Sequence, residues 1–81
     1  MDCWIGISQR DRLRVVKVAG RLTFAQVPDL LLACGDVGPL ELDLSDLVFV
    51  DASGIEAIQR LREFGASFVG TPGYINLKLE T

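Results

Sequence analysis

Hydrophobic and polar positions alternate with two different periods along this chain, and the change of period marks its central feature. Trp4-Ile5-Gly6-Ile7-Ser8 and Leu13-Arg14-Val15-Val16-Lys17-Val18-Ala19 carry the near-alternation and β-branched content of strands with one covered face. The polar tip Gln9 to Arg12 between them predicts a hairpin, with Gly20 ending the second strand. Ala25 to Cys34 reads as a helix whose regular part begins at Val27 or Pro28, because proline fits only the first turn. Of the consecutive Leu30, Leu31 and Leu32, at least one must lie off the buried stripe. Gly35 is placed to cap the helix, and Gly38-Pro39 completes the break.

Leu40, Leu42 and Leu44 then alternate with Glu41, Asp43 and Ser45, predicting a strand with one solvated face. Asp43 interrupts the continuous apolar run of a buried parallel strand, which puts its carboxylate at the sheet's carboxyl end or in a hydrogen bond to a neighbouring loop. Leu47 to Val50 is a second apolar run. From Ser53 the period becomes helical: Ile55, Ala57, Ile58, Leu61 and Phe64 fill half a wheel, Glu56, Gln59, Arg60 and Glu63 much of the other half, and Arg62 alone intrudes on the apolar edge. Gly65 stops this helix. Ala66 to Gly70 reads as a closing strand, and Tyr74 to Glu80 fits a short helix or a strand. Strands alternating with helices after an opening hairpin predict a single α/β layer domain over 1–81, with right-handed crossovers and a binding surface at the carboxyl ends of the strands.

Composition narrows the function. Eighty-one residues with 49% apolar and 23% charged content describe one small globular domain. A net charge of −3 is not the electrostatic footprint of a nucleic-acid binder. Two cysteines, Cys3 and Cys34, are too far apart for a CxxC motif and read as free thiols in a reducing cytoplasm. Histidine is absent, which removes the commonest general base and metal ligand. The longest apolar run, Leu30 to Cys34, is far short of a membrane span, and the N-terminus lacks signal-peptide character. The expectation is a cytoplasmic protein without direct membrane insertion, metal or cofactor.

The chemistry concentrates at Asp51-Ala52-Ser53-Gly54, where the apolar run meets the helix. Ser53 followed by Glu56 has the spacing of a capping box, so Ser53 reads first as the N-cap. A nucleophilic serine needs a base and an oxyanion hole; without histidine or Gly-x-Ser-x-Gly, no catalytic residue is assigned. A phosphate on Ser53 would add about −1.5 to −2 charges beside Asp46, Asp51 and Glu56, a physically sensible switch for binding. Gly54 removes a side chain where another surface can approach, or eases the turn. No P-loop or Gly-x-Gly-x-x-Gly supports nucleotide binding.

The stretch Leu42 to Ile55, LDLSDLVFVDASGI, resembles the signature of STAS domains, the family of bacterial anti-sigma factor antagonists and sulfate-transporter tails. Val18 to Leu22 and Gly65 to Val69-Gly70 are similar to the family's flanking strand ends. The resemblance implies a small mixed β-sheet with an N-terminal hairpin and helices packed on it, shortened at the C-terminus, and a non-enzymatic regulator of transcription. It places phosphorylation at Ser53, by a partner that is an anti-sigma factor and serine kinase. Docking would use Asp51, Ala52, Ser53 and Gly54 together with the exposed Glu56, Gln59, Arg60 and Glu63. Ala52 stands where the family motif has its first serine. The alternative is a constitutive adaptor docking on the ABC-type ATPase of a lipid-transport complex, without phosphorylation. The short C-terminus would leave apolar surface open and allow a homodimer.

Overall fold

The structure, a computed structural model, describes residues 3–35 and 39–79. Within them the chain forms a five-stranded mixed sheet and three helices. Strands β1 (Cys3–Arg10) and β2 (Leu13–Leu22) make the expected hairpin, paired antiparallel from Cys3↔Gly20 to Arg10↔Leu13. Helix α1 (Val27–Cys34) carries its proline in the first turn and is capped at Gly35, whose N–H donates to the Leu31 carbonyl at 3.2 Å. Strands β3 (Leu40–Asp43) and β4 (Leu47–Val50) lie parallel to β2, helix α2 spans Ala52–Glu63, β5 (Ser67–Val69) runs parallel to β3, and helix α3 (Gly73–Leu79) settles the last segment as helical. The Gly38 half of the expected break and the expected element's last residue, Glu80, lie outside the described residues.

Both β3 and β4 line the same edge of β2. Leu40 to Asp43 pairs with Arg14 to Lys17, and Leu47 to Val50 with Gly20 to Leu22. One long track is thus broken at residues 44–46, and the break is held by side-chain chemistry. Asp43 Oδ1 accepts from the Ser45 N–H (3.0 Å) and hydroxyl (2.6 Å), an Asx-type turn. Lys17 Nζ reaches Asp46 Oδ2 at 2.9 Å from the next strand. Asp43 therefore satisfies both sequence expectations, ending β3 and bonding the loop.

Gly20 does not end β2. The strand continues to Leu22 through a register shift: Gly20 pairs with Leu47 but Arg21 with Phe49, so the extra residue is Val48, on β4, and Gly20 beside it adopts φ 86°, a backbone conformation that suits a residue without Cβ. Its N–H donates to the Asp46 carbonyl at 3.0 Å, so the positive-φ residue of β2 faces the break in its neighbour.

All three helices cover one face of the sheet. Val16, Val18 and Leu22 of β2, Leu42, Leu44, Leu47 and Val50 are buried against Leu30 and Cys34 of α1, Ile58 and Leu61 of α2, and Ile75 and Leu79 of α3. The opposite face is uncovered: Trp4, Phe49 and Val69 are exposed, and the Arg21 guanidinium stacks over the Phe49 ring at 4.6 Å. Phe64 departs from its expected place on the apolar face of α2. The helix ends at Glu63, Phe64 is the cap residue, and its side chain is exposed, because helical spacing stops aiming side chains once the helix has stopped. No helix among the described residues is long and apolar enough to cross a membrane.

The turn at Asp43 makes a testable statement about acid stability. Bonds from the Ser45 hydroxyl and N–H, and then the charge of Lys17, hold the Asp43 carboxyl below the usual carboxylate range. Between the folded and unfolded values the unfolded chain binds more protons. The group's contribution is therefore present above the unfolded value of about 3.9 and is lost as pH falls through the folded one. Ser45→Ala should move the Asp43 titration upward toward its ordinary value and reduce the acid dependence of stability. Carboxyl carbon NMR titration with parallel urea melts checks both.

Candidate functional site

The site grows from the way β4 hands over to α2. Asp51, extended at φ −89° and ψ −178°, is the N-cap: its Oδ1 accepts from the Gly54 N–H at 2.8 Å. The Ser53-x-x-Glu56 spacing predicts this role for Ser53, and the structure corrects it. Asp51 and Ser53 are both good caps by composition, but the sheet decides between them. The Asp51 N–H donates to the Leu22 carbonyl at 3.1 Å, which keeps Asp51 extended and starts the helix at Ala52. Ser53 then falls inside the first turn. It is exposed, its hydroxyl has no hydrogen-bond partner among the described residues, and Glu56 pairs with Arg60 at 3.3 Å instead of closing a capping box.

The second oxygen of Asp51, Oδ2, accepts from the Phe24 N–H at 3.0 Å. One carboxylate thereby ties the chain leaving β2 to the start of α2. The chain between β2 and α1 is further held by Gln26, whose Oε1 accepts from the Thr23 hydroxyl (2.6 Å) and N–H (3.1 Å).

Gly54 faces inward and is buried. A Cβ there would stand 2.5 Å from Val50 Cγ2 and 3.0 Å from the Leu22 carbonyl oxygen. The surface that approaches this glycine is the chain's own sheet, so Gly54 lets α2 sit down on β2 and β4.

Of the other residues expected at the site, Ala52 is exposed beside Ser53, and Glu63 is exposed farther along α2. Gln59 is diverted: its Nε2 donates to the Leu79 carbonyl at 3.2 Å and anchors α3. Glu56 and Arg60 are brought together with Ser53. These three, with Ala57 of α2 and Val27 and Leu31 of α1, line a groove of about 180 Å³ between the two helices. Val27 and Leu31 were not singled out by the sequence reading. The signal was the triple leucine: Leu30 is fully buried, Leu31 half-exposed at the groove and Leu32 exposed. Phe24, joined through its N–H to Asp51, is also exposed. A second cavity, about 360 Å³, lies between β1 and α1 against Cys3, Ile5, Ile7, Gln26, Asp29 and Ala33, and holds no residue expected at the site.

Both cysteines are free thiols, Cys3 partly covered and Cys34 buried; burial pushes the Cys34 thiol up to about 11. Among the described residues no group of three or more His, Cys, Asp or Glu side chains could hold a metal ion.

No family model matches the sequence, and no curated protein matches it. Solved structures do. An anti-sigma factor antagonist from Mycobacterium paratuberculosis superposes with a TM-score of 0.76 at 24% identity, over 94% of this chain and 73% of that one. An antisigma-factor antagonist STAS domain from Rhodobacter sphaeroides gives 0.64 at 25% identity, over 85% and 87%. The chain has the fold of a STAS-like domain. The same fold lies within the murine Solute Carrier 26 family member A9 anion transporter, where 90% of this chain covers 14% of that one at a TM-score of 0.64 and 22% identity.

In this STAS-like domain the cap and the exposed serine are separable by mutation. Asp51→Ala should cost about 1–2 kcal/mol, the upper range for a lost N-cap, while Ser53→Ala should stay within about 0.5 kcal/mol, as for a surface substitution touching no structural feature. Gly54→Ala should cost about 1–3 kcal/mol by overpacking, less the gain in helix propensity. Urea unfolding of the three variants measures all of this.

Proposed function

We propose that this STAS-like domain is a non-enzymatic, cytoplasmic protein-binding regulator of the anti-sigma antagonist type. In this reading it docks an anti-sigma factor that is also a serine kinase through the loop and helix at 51–63, and phosphorylation of Ser53 switches that docking. The observation that carries the reading is the placement of Ser53. Its hydroxyl is exposed in the first turn of α2 and has no hydrogen-bond partner among the described residues, at the edge of a groove with an apolar wall, while Asp51 does the capping that would otherwise occupy it. The solved antagonists of the same fold lend the partner class.

The switch is simple electrostatics. The kinase forms a bond from Ser53 Oγ to the γ-phosphorus of ATP, breaks that phosphorus's bond to the bridging oxygen, releases ADP and takes up the hydroxyl proton. The product carries about −1.5 to −2 charges. The first-turn N–H groups of Ala52 and Ser53, which have no intrahelical acceptor, and the positive end of the helix accommodate that charge within the domain. A partner surface packed on the groove would have to desolvate it.

Incubation with the cognate kinase and ATP should raise the mass by one phosphate, Ser53→Ala should abolish the labelling, and the phosphorylated chain should lose its partner in pull-down. No phosphate, or labelling at another residue, overturns the switch. Retrieval of an ABC-type ATPase in place of the kinase would assign the domain to the adaptor class instead.

A further inference from the structure

The groove between α1 and α2 has two unlike walls. Val27 and Leu31 of α1 make one, and Ser53, Glu56 and Arg60 of α2 the other, with Ala57 between them. Positions 53, 56 and 60 fall at i, i+3 and i+7, on a single face of the helix. Long helical side chains lean toward the N-terminus, so the Arg60 guanidinium points back along α2. It meets Glu56 first, at 3.3 Å, and Ser53 lies beyond.

That ion pair is weak by construction. Both side chains are about two-thirds exposed (69% and 67%), and exposed pairs at this spacing contribute little. A phosphate competes well against it, with up to twice the charge and three acceptor oxygens suited to a guanidinium fork. Seven residues are about 10 Å of helix axis; the backward-leaning arginine covers most of that span, and the phosphate, on a serine that leans the same way, has to turn back along the helix to meet it. Arg60 is the cation among the residues lining the groove. The carboxylate among those lining residues is Glu56; Asp51, at the start of the helix, is already engaged by two N–H groups, and Glu63 is exposed three residues beyond Arg60.

We propose that Arg60 is an internal latch: Glu56 holds it while Ser53 is unmodified, and it transfers to the phosphate when Ser53 is phosphorylated. The inference rests on the Ser53 switch proposed above and adds how the domain itself registers the modification. Transfer lays the guanidinium along the groove and leaves Glu56 unpaired. The polar wall changes from one neutral hydroxyl and a self-neutralised pair to a wall of net charge near −2. The docking groove is altered in shape and in charge by a single residue's exchange of partners.

The test uses the full chain carrying phosphoserine installed at position 53 during translation, so that it does not depend on any kinase. Phosphorus NMR titration reads the second ionisation of the phosphate. In the otherwise unchanged chain it should fall below that in Arg60→Gln by about 0.5 or more, the direction set by a nearby opposite charge. Glu56→Gln should lower it further by removing the competitor, Arg60→Lys should restore part of the Arg60→Gln loss, and the Arg60 Nε–H resonance should shift on phosphorylation. These side chains are exposed, and amide spectra confirm that the variants fold. Coincident titrations with and without Arg60 overturn the latch but leave the switch standing. Failure of the kinase to label Ser53 overturns the switch, and the titration still reports on whether the latch geometry exists.

Discussion

The carboxylate of Asp51 joins the sheet to the helix, and the geometry of the candidate site depends on that joint. Its backbone N–H extends the pairing with β2 through Leu22, and its carbonyl accepts from the Ile55 N–H at 2.9 Å. Its two side-chain oxygens take the N–H groups of Gly54 and Phe24. Four hydrogen bonds from one residue fix the first turn of α2 against the ends of two strands. The outward position of Ser53 follows from this. With Asp51 extended and Gly54 pressed on Val50 and Leu22, the 100° step between helical neighbours turns position 53 to solvent.

A second carboxylate, Asp43, performs the same kind of work one strand earlier. The track alongside β2 would be a single strand from Leu40 to Val50 if the Asp43–Ser45 turn did not break it. Gly20, at positive φ, faces that break and donates to Asp46, so the ladder resumes along β4. Leu44 and Leu47 can then both point into the core, although strict alternation would send one of them out. The stretch LDLSDLVFVDASGI is thus largely scaffold: two carboxylate-held turns flanking a short strand, with Ser53 as an outward-facing polar position in the helical turn it introduces.

The elements were legible where one period ran unbroken. The hairpin, the proline-initiated α1, the leucine alternation of β3 and the buried stripe Ala57, Ile58 and Leu61 of α2 each follow from local pattern and survive packing. Local pattern misleads where a tertiary partner outweighs local preference. Gly20 looked like a strand end because nothing nearby showed that the Asp46 carbonyl would continue the ladder. Ser53 looked like a cap because Ser-x-x-Glu is a cap pattern, and only the bond from Asp51 to Leu22 moves the helix start. Gln59 belonged by spacing to the exposed face, yet α3, whose conformation the sequence left open, recruits it. The groove was illegible for the same reason: it needs α1 and α2 side by side, and no local pattern reports that.

What remains exposed after these constraints explains why a weak ion pair suits the groove. Val27, Leu31 and Ala57 offer apolar surface, whose burial by a partner is worth about 25 cal/mol per Å². That gain is realised only if the facing polar wall can be covered without stranding a charge. A hydroxyl and a mutually neutralising Glu56–Arg60 pair meet this condition at low cost, since an exposed pair gives up little when its water is displaced or its partner changed. A strong, buried bridge would lock Arg60 in place and leave an added phosphate to repel Glu56 unanswered. A wall without any ion pair would give the phosphate no counter-charge within the domain. The marginal contact between Glu56 and Arg60 therefore lets one surface remain coverable in its unmodified form and still respond to a change at Ser53.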